Sequence, residues 1–147
     1  MGLIWVLLPL RQQCDKLGSV IGTFTENYPT QRIGVSIVEQ NPEDWMRLIV
    51  KALKVLDQNE KTAIRFCSQV NTHVFVDGDG NALCPAIVWK DRRASDEALA
   101  LDARVTSKQK EEWWGAPMPI DASHAIARMA WVAKHQPDIW KQTRWVM

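Results

Sequence analysis

Apolar positions along this chain change their spacing several times, and each change predicts a different element. Trp45, Leu48, Ile49, Ala52, Leu53 and Leu56 recur at intervals of three and four, the spacing of one helix face. Asn41-Pro42-Glu43-Asp44 opens that run with a capping residue, a proline suited to the first helical position, and two acids at the positive end of the helix dipole. The pattern predicts an amphipathic helix from Pro42 to about Asp57. Ahead of it, Asp15-Lys16-Leu17-Gly18 is a turn signal, and Val20, Ile21, Thr23, Phe24 and Thr25 favour strand. Residues 15–28 therefore read as a β-hairpin closed by Tyr28-Pro29. Residues 30–40 read as polar and irregular.

Beyond the helix, three extended segments are predicted at Ala63–Ser68, His73–Val76 and Ala86–Trp89, with a turn at Asp77-Gly78-Asp79-Gly80. Helical patterns follow over Ala94–Arg104, Ser107–Trp114 with Ser107 as its cap, Ser123–His135 and Pro137–Gln142. Thr143–Val146 reads as the start of a strand. The order hairpin, helix, strands, helices predicts one layered domain of α/β or α+β class. There is no internal repeat and no low-complexity linker. The apolar run Leu3–Leu10 falls well short of the about 20 residues a bilayer span needs. It lacks the basic flank and small-residue cleavage site of a signal peptide.

Composition narrows the function classes. Over 147 residues, 46% are apolar and 24% charged, near the globular average, so a real core is expected. The net charge of +1 and the absence of a basic stripe argue against a nucleic-acid or anionic-membrane partner. Eight Trp are many for this length, and they are expected as core anchors. Cys14, Cys67 and Cys84 are odd in number and show no CxxC spacing, which fits reduced thiols of a cytoplasmic protein. Cys67, His73 and Cys84 lack an evident fourth ligand, so no metal site is expected.

Four stretches then carry a resemblance. Val38-Glu39-Gln40-Asn41-Pro42-Glu43-Asp44-Trp45 is similar to "EQDPEDWW". Cys67-Ser68-Gln69-Val70-Asn71 stands at a "SGQMHG"-like strand end. Asp77-Gly78-Asp79-Gly80 followed by Pro85-Ala86-Ile87-Val88-Trp89-Lys90-Asp91-Arg92-Arg93 is similar to "LDxxGxxLxPAILWxDxR". Trp131-Val132-Ala133-Lys134-His135-Gln136-Pro137-Asp138-Ile139-Trp140 is similar to "LLWLxxHxPExW". Together, in order and over about 130 residues, they resemble the N-terminal domain of the FGGY carbohydrate kinases, closest to its xylulokinase-like members.

The resemblance implies an actin-like, ribonuclease-H-like α/β fold with a mixed sheet and flanking helices, present here as part of an N-terminal domain over residues 1–147. It implies a sugar held by this domain, with ATP and Mg²⁺ held mainly by a second domain that this sequence does not contain. The family's general-base Asp would lie in that second domain, so no catalytic residue is assigned here. Gln69, Val70 and Asn71 occupy the family's sugar-contacting strand end, often Met-His or Arg-Glu at the last two places. Asn71 can both donate to and accept from a polyol, whereas Val70 can do neither. Asp91 and Arg93 match the family's "DxR", which would hold the cleft edge or reach the sugar. Plainer roles stand beside these: a strand end for Gln69–Asn71, and a capping Asp with a surface Arg for Asp91 and Arg93. His124 and Asp121 are expected near the cleft in solvated or core roles.

At its start the chain departs from the family. The family opens with a strand and turn reading Gly-Ile-Asp-Leu-Gly-Thr-Ser, whose glycines admit ATP phosphates and whose Asp places Mg²⁺. Here that stretch is Gly2-Leu3-Ile4-Trp5-Val6-Leu7-Leu8. Codons ATG GGA TTG ATT TGG GTA CTT CTN for Met1 to Leu8, read from the third base, would restore the family motif. Residues from about 2 to 13 are therefore expected to be frameshifted, with the frame returning near Cys14. Ile4–Leu8 remains apolar enough to fill the first-strand slot, with Pro9 ending it, and an exposed sheet edge would favour self-association. A small non-catalytic α/β binding module acting through its many Trp is the alternative reading of function.

Overall fold

Helix α1 (Pro42–Leu56) forms where the spacing predicts it, and its start is fixed by Asn41, whose Oδ1 accepts from the Glu43 amide at 3.1 Å. Its buried residues, Leu48, Ala52 and Leu56, fall four apart on one stripe. The computed structural model describes every residue except Met1, Leu8, Pro9, Lys16 and residues 57–60. The ending of the first strand by Pro9 lies outside the described residues. The chain divides into two units, one of Met1–Pro29 with Asn41–Val70, the other of Thr30–Gln40 with Asn71–Met147.

In the first unit, β1 (Gly2–Leu7), β2 (Leu10–Cys14), β3 (Val20–Thr25) and a later strand, Lys61–Cys67, form a sheet in the order β3-β2-β1-(61–67). β1 is antiparallel to β2 and parallel to 61–67, so the apolar first strand takes an interior place. The parallel pair requires a crossover, which contains α1. The turn of the β2–β3 hairpin is where the sequence put it: Asp15 Oδ1 accepts from the amides of Leu17 at 2.8 Å and Ser19 at 2.9 Å, and Gly18 takes φ +86°. Its first strand, however, precedes residue 15, because Arg11-Gln12-Gln13 hides a strand behind polar letters. α1 packs on this hairpin through Leu56, Ile49, Leu53 and Phe24. A Cβ at Gly22 would stand 3.1 Å from Leu56 Cδ2, so glycine permits that close approach.

The second unit begins with a correction. Residues 30–40 are not irregular: β4 (Gln31–Ile33) and β5 (Ile37–Gln40) form a tight antiparallel pair, and β5 also pairs antiparallel with Ala86–Ile87. With Lys61–Cys67 as β6, the remaining strands are β7 (Phe75–Val76), β8 (Ala86–Ile87) and β9 (Trp145–Val146), with β7 and β9 antiparallel. Four helices follow, α2 (Ser95–Asp102), α3 (Ser107–Trp114), α4 (Ala125–His135) and α5 (Pro137–Gln142). Phe75, Ile87 and Val132 form one core cluster under Met129, Trp140 and Val146. Ala94, Ala98, Ile120 and Ala127 form another under Leu101, Val105 and Trp131. No helix among the described residues is long and apolar enough to cross a membrane.

Two further expectations change. The cap of α3 is Thr106 rather than Ser107: its hydroxyl accepts from the Gln109 amide while Gln109 Oε1 takes the Thr106 amide at 2.9 Å, a reciprocal capping box. Thr106→Ala is expected to lower stability by about 1 kcal/mol, measurable as an earlier urea midpoint. The Trp residues are not all core anchors. Trp89, Trp113, Trp114 and Trp145 are between 44% and 56% exposed, because they fall on turns, a helix end and a short edge strand rather than on the buried stripes.

Candidate functional site

Arg128 lies on the buried face of α4, four residues before Val132, and is itself fully buried. Its Nε donates to Ala122 O at 3.1 Å, Nη2 to Val88 O at 2.7 Å, and Nη1 to Ile87 O at 2.8 Å and to Asn71 O. Nη1 also meets His73 Nδ1 at 2.8 Å. A guanidinium only donates, so that ring nitrogen accepts, and His73 is neutral with its proton on Nε2. Burial draws the Arg128 pKa down to about 10 against the pull of Asp91, so the group stays charged at neutral pH.

Two of the stretches gripped by Arg128, those at Val88 and Ala122, run into an open cavity of about 680 Å³ lined by Trp89, Lys90, Asp91, Arg92, Ser95, Asp121, Ala122 and Ser123. Trp89 leaves nearly half its surface open, with Lys90 Nζ 5.0 Å from the ring centroid. Ser95 and Ser123 add hydroxyls. Hydrogen bonds from Ser123, its hydroxyl first, hold the Asp121 carboxyl below the usual range, keeping an acceptor at the rim. An aromatic face beside fixed hydroxyl, carboxylate and ammonium groups suits a small polyhydroxylated ligand.

Asn71 enters this arrangement through Nδ2, which donates to Ser123 Oγ at 3.1 Å. Its φ is +54°, the one positive value among the described non-glycine residues, a conformation Asn tolerates better than most. Gln69 and Val70 end the first unit just after β6, and Val70 is 78% exposed.

Asp91 and Arg93 are tied to each other rather than to solvent. Asp91 Oδ2 accepts from the Val38 amide at 2.6 Å and Arg93 Nη2 at 2.7 Å; Oδ1 accepts from the Arg93 amide and Nε, both at 2.9 Å. Arg93 Nη2 also reaches Glu39 Oε1 at 2.7 Å, and the guanidinium lies 5.1 Å from the Trp131 centroid. Asp91 is not a helix cap, since α2 begins at Ser95 after Ala94, and Arg93 is not a surface residue. The pair holds the Trp89–Arg93 loop against β5. His124 precedes α4 and bonds Asp121 at 3.2 Å.

The sequence singles out His73 only as a metal-ligand candidate and does not single out Arg128. The available signal was an arginine one helical turn before Val132 on the same apolar stripe, a place where a charge needs buried acceptors. Burial, then the charges of Arg128 and His124, lower the His73 pKa from 6.5 to about 4. Between those values the unfolded chain binds a proton that the folded chain refuses. Stability therefore falls as pH drops from 6.5 to about 4 and is flat with respect to this group below that. Discounted for the partly exposed ring, the loss is about 2 kcal/mol. Urea midpoints from pH 7.5 to 4.5 should show a shallower slope for His73→Gln than for the parent.

Among the described residues no three His, Cys, Asp or Glu side chains are placed to hold a metal. Cys14, Cys67 and Cys84 are free thiols, and burial raises the Cys84 pKa.

Mixed sheets flanked by helices are what the resemblance implied. Residues 13–147 match the N-terminal domain of the FGGY family of carbohydrate kinases, and the chain belongs to that family. Among individual proteins it is similar to the xylulose kinase of Escherichia coli, 30% identical over 132 residues, and to that of Staphylococcus epidermidis, 29% over 137; each match covers 87% of this chain and 26% of the relative. A ligand-bound xylulose kinase from Lactobacillus acidophilus shares the fold with a TM-score of 0.82 at 17% identity, over 99% of this chain and 31% of that one. The chain thus spans about a quarter of the length of the curated relatives it matches.

Proposed function

We propose that this chain supplies the sugar-facing wall of a cytoplasmic, ATP-dependent carbohydrate kinase acting on a ketose or polyol of the xylulose kind, and that alone it transfers no phosphoryl group. The cavity beside Trp89 carries the reading. Its indole face, its hydroxyls and the Asn71–Ser123 contact offer a polyol both a stacking surface and directed hydrogen bonds. Gln69, Val70 and Asn71 are assigned as sugar contacts. Asp91 and Arg93 are assigned as the pair that stiffens the cleft edge, a role their mutual hydrogen bonds support. Self-association would use the outer strands β3 and β6, whose Ile21, Ile64 and Phe66 are exposed.

ATP and Mg²⁺ belong to the full-length family, and the start of this chain does not fit them. β1 has no carboxylate between Gly2 and Leu7, and the sequence after it, Leu8-Pro9, has no glycine, so these residues offer no side-chain ligand for Mg²⁺ and none of the glycines that admit phosphate. No phosphoryl-transfer step is assigned to these residues. A shifted reading frame over residues 2–13 accounts for the mismatch, and the family match starting at residue 13 supports it. The nucleotide sequence decides: any Leu3 codon other than TTG refutes the shift.

The sugar reading is tested by adding xylulose or xylitol to the isotopically labelled chain and following its NMR spectrum. Shifts should gather at Asn71, Trp89, Lys90, Ser95 and Ser123. A spectrum unchanged at high sugar concentration overturns the assignment. The exposed pair Trp113 and Trp114, with centroids 6.1 Å apart and planes at 79°, favours a second reading as a non-catalytic interaction module. A partner that perturbs those indoles and leaves Trp89 untouched would support it.

A further inference from the structure

A fully buried arginine ordinarily pairs with a carboxylate, because burying an unpaired cation is expensive. Among the described residues, the hydrogen bonds of Arg128 go instead to four backbone carbonyls and one imidazole nitrogen. An apolar side chain on this face of α4 would fill the same space without desolvating a charge. It could not satisfy carbonyls drawn from three separate stretches of chain, which lie 57, 41, 40 and 6 residues away. The stretches are not arbitrary. Val88 O directly precedes Trp89, Ala122 O directly precedes Ser123, and Asn71 O belongs to the residue whose amide bonds Ser123 Oγ. Asn71 is also the described non-glycine residue held at positive φ, a conformation that needs outside support.

We propose that Arg128 is a positioning residue for the sugar site. From behind, one guanidinium fixes the backbone of Asn71, Trp89 and Ser123, so that polar and aromatic groups from three stretches face the ligand in one fixed geometry. The proposal rests on the sugar-wall reading above. Rigid Arg forks suit the task, since five donors in one plane set the carbonyls relative to one another, whereas a Lys ammonium offers three donors without that plane.

The test uses the whole chain, labelled, with Arg128→Lys, Arg128→Met and, as a control, Thr106→Ala, which weakens the cap of α3 and touches no wall residue. Two properties are read on the folded fraction. One is the strong intraresidue amide-to-Hα cross-peak that marks positive φ at Asn71, which needs no sugar. The other is the xylitol dissociation constant from the Trp89 and Ser123 shifts. Arg128→Lys should fold, weaken the Asn71 signature and raise the dissociation constant about tenfold. Arg128→Met, where folded, should lose both, and Thr106→Ala should keep both. An Arg128→Lys protein with an unchanged Asn71 signature and a dissociation constant within about twofold of the parent overturns the proposal. A parent chain that ignores xylitol defeats the sugar-wall reading, whereas the Asn71 cross-peak still reports whether Arg128 holds the loop.

Discussion

Asp91→Ala should lower the stability of this chain by about 3–5 kcal/mol, the usual result of removing one partner from a buried ion pair. The side chain is 1% exposed, and its two oxygens accept four hydrogen bonds. Truncation strands the buried Val38 amide and leaves the Arg93 guanidinium with Glu39 and the Trp131 ring. Asp91→Asn should also destabilise, because one oxygen still accepts but the new NH₂ is set against N–H donors and the charge opposite Arg93 is lost. Urea denaturation at neutral pH separates the three proteins. A loss under about 1 kcal/mol for the alanine variant would show that the network holds the loop without holding the fold.

Phe75→Ala should be of similar size, about 3–5 kcal/mol, for a different reason. Phe75 is completely buried against Ile87 and Val132, under Trp140 and Val146. Removing the ring leaves a void between rigid neighbours on β8, α4 and α5, and a two-residue strand cannot shift to fill it. Phe75→Leu keeps most of the volume and should lose less than half as much. The local signature is faster hydrogen exchange at the Val74 and Met147 amides, which bond each other's carbonyls across the β7–β9 pair. Equal melting of the alanine variant and the parent would mean that this cluster is not where the second unit stores its stability.

Elements that advertise themselves locally were legible from the sequence. Asn41-Pro42 sets the start of α1, Asp15 and Gly18 make their own turn, and Pro137 opens α5, because each uses interactions within a few residues. β4 and β5 were not legible. All three residues of β4 are exposed, and β5 buries Val38 and Gln40 rather than alternating apolar letters. Its place is set by β8 and by an Asp91 carboxylate 53 residues away. The same holds at the candidate site. Motif similarity pointed to the Trp89–Arg93 loop. That Asp91 spends its oxygens on Val38 and Arg93, and that Arg128 supports Asn71 from beneath, are consequences of long-range packing that no local pattern carries.

Neither unit is a continuous piece of chain, for Thr30–Gln40 interrupts the first and belongs to the second. No single proteolytic cut can therefore release either unit whole. A peptide starting at Asn71 would lack its β4–β5 ribbon, and a synthetic 30–40 peptide added in trans should restore order to it. During synthesis that ribbon must wait, its outer edge unmatched, until Ala86 and Ile87 leave the ribosome. The interval is one in which a chaperone, or a second nascent copy, could claim the vacant edge.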